Sequence, residues 1–225
     1  MNNVQHDFYY MVRETVLIIA ALFPIVNPLG SAAIFLNLAG NVEHRLQEIL
    51  SQKIAIYSFS ILIVSLLWGV KVLSFFGISI YSVQIGGGLI VCATGWSLLG
   101  QSSGGMSSGI GSDEDILDHA FYPYTLPITV GPGSISVAVT LGAHLVAHSR
   151  NLALFSPQVI IPAVVGSAVV CLIVYICYRY AKSAERLLGK TGTDVLLRLS
   201  SFILFCIGIQ IVANGVTSYL PTIGH

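Results

Sequence analysis

Two stretches place proline, glycine and small polar residues inside otherwise apolar sequence: LFPIVNPLGSAAIFL at residues 22–36 and TLPITVGPGSISVAV at residues 125–139. Pro28 and Pro132 lack a backbone N–H and clash with the carbonyl one turn earlier, so each should interrupt its helix. Gly30, Gly131 and Gly133 loosen the backbone further. Each stretch is therefore expected to be two half-helices joined by unwound chain near the membrane midplane. The half-helices that follow should begin near Gly30-Ser31 and Gly133-Ser134, with Ser31 and Ser134 as caps. Their free N–H groups and positive dipole ends would favour an anion. The half-helices that precede should end near Val26 and near Thr129-Val130, offering carbonyls to a cation such as Na+. Asn27 adds an amide to the first break, where the second has Gly131.

Such a site offers donors and acceptors but no fixed charge. It suits a small zwitterion, for instance a neutral amino acid, and equally a small neutral polyol. The expected substrate-binding set is Asn27, Pro28, Gly30, Ser31, Gly131, Pro132, Gly133 and Ser134. Thr94, Gln210 and Asn37 are secondary cavity candidates. Gln210 is expected to face the bundle, because an amide in hydrocarbon is costly. His144 follows Ser134 by ten residues, roughly 15 Å along a helix, and is expected at the interface. No ionisable residue falls in the middle of an apolar run, so a buried-carboxylate proton relay is not expected. Coupling to Na+ and no coupling at all both stay open. The spans hold no Ser-His-Asp set, HExxH motif or acid pair, so the chain is not expected to be an enzyme or to carry a cofactor beyond that ion.

These residues need a lipid-facing scaffold to position them. Hydrophobic residues make up 55% of the 225-residue chain, charged residues 9%, and mean hydropathy is +0.83. Soluble domains carry roughly 25% charged residues, so most of this surface must face lipid. Six apolar runs approach or exceed the roughly 20 residues a bilayer needs: 15–38, 54–70, 75–99, 120–143, 159–178 and 199–216. The expected fold is an all-α membrane protein of six transmembrane helices. Arg13 ahead of an apolar stretch resembles a signal peptide, but the run continues to Leu38, which favours a retained first helix. Zero net charge gives no basic surface for nucleic acid. Cys92, Cys171, Cys177 and Cys206 lie in apolar runs and read as small buried hydrophobes without metal-ligand spacing.

Residues 101–119, QSSGGMSSGIGSDEDILDH, form a flexible acidic linker between a first three-helix half (1–100) and a second (120–225). GGGLIVCATGW (86–96) lies over SSFILFCIGIQ (200–210), with Cys92 matching Cys206. Gly88, Cys92 and Gly95 share a helix face and read as a packing seam. Three spans per half would invert the second half relative to the first, as in many secondary transporters. Arg179, Lys182, Arg186, Lys190 and Arg198 lie between the last two spans, and Arg45 and Lys53 follow the first. Counting basic residues as cytoplasmic places both termini outside.

The blocks NPLGSAAIFLNLAGN, FFGISIYSVQIGGGLIVCATGWSLL, YTLPITVGPGSIS and RLLGKTGTDVLLRLSSFILFCIGIQIVANGV together resemble the MarC family of bacterial and archaeal inner-membrane proteins. The resemblance implies six spans, inverted halves, external termini, kinship with LysE-type amino-acid exporters and transport of small neutral amino acids. It carries over to Asn27, Pro28, Gly30, Gly131, Pro132 and Gly133. Ala33 stands where many relatives have a further proline, so substrate preference need not transfer. The leading expectation is a transporter of small neutral amino acids or similar polar solutes by alternating access. A passive small-solute channel and a non-transporting membrane partner are the alternatives, and a homo-oligomer is left open.

Overall fold

The computed structural model describes residues 3–39, 43–100, 117–148 and 156–223. They form α1 (Asn3–Val26), α2 (Pro28–Ala39), α3 (His44–Phe75), α4 (Ile80–Gly100), the irregular wide-turn helix α5 (Ala120–Thr129), α6 (Pro132–His148), α7 (Pro157–Arg179) and α8 (Ala181–Ile223). No strand occurs among the described residues. Five segments are long and apolar enough to cross a membrane, with α1 and α2 together forming the first (Gln5–Leu36). The bent pair α5–α6 passes the same test when taken together, as a sixth span or as a re-entrant loop. Residues 101–116 of the expected linker lie outside the described residues.

Several boundaries differ from expectation. The first span starts well before Thr15 and so takes in Glu14 towards its N-terminal end, away from the middle of the span. α3 starts at His44 rather than Ile54 and, at about 48 Å, overshoots a bilayer core of roughly 30 Å. The basic segment between the last two spans is itself helical, broken where Gly189 takes a left-handed φ of 67°.

Packing follows from residues spaced three and four apart, which share a helix face. Glu14, Ile18, Leu22 and Val26 are buried along α1. Gln47, Ser51, Ile54, Ser58, Leu62 and Ser65 are buried along α3, and Val159, Ala163, Gly166, Val170, Val174 and Tyr178 along α7. Small residues let these backbones approach closely, the usual means of helix association where lipid removes the hydrophobic drive. The main core draws on α1, α2, α3, α5, α6 and α7. By contrast, α4 and α8 pack chiefly on each other. A Cβ added at Gly88 would lie 2.9 Å from the Val212 amide nitrogen and 3.0 Å from the Gly208 carbonyl. The expected seam on α4 is thus where α8 meets it. A smaller cluster of Ile25, Val91 and Leu204 joins this pair to the rest. Cys206 is exposed rather than buried, on the outer side of α8.

Candidate functional site

The first break occupies a single residue. Asn27 adopts φ 48°, a left-handed conformation that asparagine tolerates better than most residues. Its N–H donates to the Phe23 carbonyl at 3.0 Å, closing α1. Its Oδ1 accepts the Gly30 N–H at 3.2 Å, capping α2, with Pro28 in the first-turn position that proline favours. A side chain at Gly30 would collide with the Asn27 amide, which explains the Asn-Pro-Leu-Gly order. The expected cap Ser31 does not cap: its Oγ donates back to the Asn27 carbonyl at 2.9 Å.

The second break is wider. Pro123 and Pro127 remove two donors from α5, and Tyr122 and Leu126 leave helical geometry. The Thr125 and Thr129 hydroxyls donate to carbonyls five residues back, at 2.7 Å each. Val130 is extended (φ −120°, ψ 94°), and α6 starts at Pro132. The two helices meet at 68°. Gly131 takes the position that Asn27 holds in the first break but has no side chain to cap with. Ser134 lies in the first turn of α6, not ahead of it. The N–H groups of Gly133 and Ser134 therefore have no intrahelical acceptor.

The two breaks meet in one cavity of about 500 Å³, within the roughly 300–1,000 Å³ usual for small-molecule sites. Asn27, Ser31, Gly131, Pro132, Gly133 and Ser134 line it, as do Val26, Thr129 and, from α4, Thr94 and Ser97. None of the lining residues is charged. Thr94 donates its hydroxyl to the Ile90 carbonyl at 2.8 Å, leaving the oxygen free to accept. The lining continues through Ile34 and Leu98, towards the ends of α2 and α4.

Other expected residues lie elsewhere. Pro28 and Gly30 support the break without lining the cavity. Val130, expected to offer a carbonyl to Na+, is fully buried and off the cavity. Gln210 does not face the bundle; it is exposed on α8, where its Nε2 donates to Asn214 Oδ1 at 2.9 Å. Asn37 lies in α2, but its side chain is outside the described residues. Among the described residues no cluster of metal-ligating side chains occurs.

Two features escaped sequence reading. The first is Tyr178, fully buried at the end of α7. Its ring stacks on Phe35 of α2 at 4.7 Å between centroids. Its hydroxyl lies 2.7 Å from Thr129 Oγ1 and beside Ser31, so one phenol touches both breaks. The second is Glu14, whose side chain is 2% exposed. Its Oε1 accepts from Arg13 Nη2 at 2.7 Å, and its Oε2 lies 3.4 Å from Nδ1 of His144 on α6. His144 is thus near the end of its span, as expected, but is bonded to the other broken helix.

The sequence matches the family described as MarC family integral membrane protein over residues 12–220. The inner membrane protein MarC of Salmonella typhimurium is 34% identical over 213 residues, covering 91% of this chain and 94% of that protein. The protein of the same name from Escherichia coli O1:K1 is 32% identical over 211 residues with the same coverage. No solved structure matches. With that match spanning both breaks and all of the membrane segments but the first turns of α1, the chain belongs to the MarC family of integral membrane proteins.

Proposed function

We propose that the protein carries small neutral amino acids, or similarly small polar solutes, across the membrane by alternating access, without chemical conversion of the solute. The observation that carries this reading is the cavity where both breaks meet, lined mostly by apolar side chains with a few hydroxyls, the Asn27 amide and backbone, and by no charged side chain. A zwitterion's carboxylate would face the uncapped N–H groups of Gly133 and Ser134, where the dipole of α6 favours an anion. Its ammonium would face carbonyls at the ends of α1 and α5, near Val26 and Thr129. The first break contributes less to anion binding, because Asn27 already satisfies the Gly30 N–H.

An inverted repeat is part of the reading. Equivalent elements meet across the molecule: the two broken spans share the cavity, and α4 pairs with α8. The distribution of Lys and Arg supports external termini, and the relatives' names support the inner membrane.

The test is flux of labelled glycine and alanine into proteoliposomes, beside a Thr94→Phe variant that fills the cavity from α4 without changing any residue of either break. Saturable flux, at least tenfold lower in the variant, is expected. Flux that never saturates would favour the passive channel. No flux and no solute-dependent thermal shift across neutral amino acids would reject solute handling at the breaks.

A further inference from the structure

An amide sits where lipid should be. Arg198, exposed on α8, marks the polar edge of the last span. The apolar stretch begins at the next residue, so a bilayer core of about 20 helical residues centres near Gln210. Gln210 is exposed there and uses one N–H on Asn214 Oδ1. Its own carbonyl has no partner among the described residues. An unsatisfied polar group in hydrocarbon costs several kcal/mol, so something polar must cover this position in the membrane.

The residues around Gln210 indicate what does. Leu199, Ile203, Cys206, Gln210, Ala213, Thr217 and Leu220 are all exposed. Their spacing alternates four and three along the whole span. That is the 3.5-residue period of a coiled-coil seam, with Gln210 at its centre. The stripe lies opposite the face that Leu204, Gly208 and Gly215 bury, so α4 leaves it uncovered.

We infer that this stripe is the interface of a homodimer, in which α8 of one copy packs in parallel against α8 of a second. Two copies inserted in the same sense have parallel α8 helices, and a two-fold axis normal to the membrane brings equal positions together. An amide is self-complementary: each Gln210 has a carbonyl to accept and a second N–H to donate, so the pair closes across the axis. A single polar residue at a central seam position also fixes register, since any slip leaves both amides in hydrocarbon. Cys206 and Ala213 on either side are small enough for the helices to approach closely. This inference does not depend on the solute.

Cys206 is a built-in probe. Of the other cysteines, Cys171 is buried and Cys92 and Cys177 are half-buried. Oxidation in native membranes is expected to link two copies into an adduct of twice the chain mass, abolished by Cys206→Ser. Gln210→Leu, on an exposed position that leaves thermal stability unchanged, should weaken dimerisation on the order of tenfold, measured by energy transfer on dilution in lipid. A monomer in lipid, a Cys206 adduct with a different protein, or a Gln210→Leu dimer of unchanged affinity would each overturn the proposal.

Discussion

Asn27 shows how much one residue must do at a helix break. It ends α1, caps α2 and turns the chain through a left-handed conformation. Pro28 was legible as the break, because its chemistry allows little else. The cap was misplaced onto Ser31, since a serine next to glycine is also a good cap and only the backbone shows which is used. Tyr178 was illegible for a different reason: a tyrosine at the end of an apolar run reads as an interfacial anchor. Its hydroxyl donates to Thr129 Oγ1, whose own proton goes to the Tyr124 carbonyl. Tyr178→Phe keeps the stack on Phe35 and removes one buried hydrogen bond, so a loss of about 1 kcal/mol is expected in chemical unfolding. Glycine flux should fall as well, because the phenol holds Thr129 in the cavity wall. Unchanged stability together with unchanged flux would show that the phenol positions neither break. Glu14 was missed because hydropathy alone started the first span one residue later.

At the scale of elements, the two breaks looked alike in sequence but differ in shape. The first leaves α1 and α2 within one span, whereas the second bends by 68°. The difference lies upstream, in Pro123 and Pro127 and the wide turns they force on α5. The α4 seam was legible from its small residues; the orientation of α8 was not, because a helix apolar on every side gives no sign of which face is inside. Two neighbouring glycines separate packing from propensity. A Cβ on Gly86 meets nothing within 4 Å, whereas one on Gly88 presses on Val212 and the Gly208 carbonyl. Gly88→Ala should destabilise by about 1–3 kcal/mol, the usual range for overpacking. Gly86→Ala should be neutral or stabilising by up to about 1 kcal/mol. Equal effects in denaturant unfolding would mean that the seam tolerates separation.

At the scale of the whole molecule, the cavity and the Glu14–His144 contact lie at opposite ends of the broken spans. Glu14 precedes Val26 by twelve positions and His144 follows Pro132 by twelve, about 18 Å from either break. The cavity lining runs the other way, towards the ends of α2 and α4. The molecule is therefore tied at the end that carries its termini and receptive at the end where α4 stops. A thiol introduced by Thr94→Cys, with Cys206→Ser, should react with a membrane-impermeant maleimide from the side opposite the termini, and glycine should protect it. Labelling from the terminal side would reverse the assignment of the open end. The apolar membrane-crossing helices followed from composition, but this one-sidedness could not, since it depends on contacts between residues more than a hundred positions apart. The uncharged lining of the cavity has an electrical consequence. A zwitterion crossing in an uncharged site moves no net charge through the field. The roughly 2.3 kcal/mol that 100 mV supplies to each elementary charge is then unavailable to it. For the proposed carrier, unless an ion accompanies the solute, the membrane voltage would neither drive nor oppose the cycle, and solute concentrations alone would set its direction.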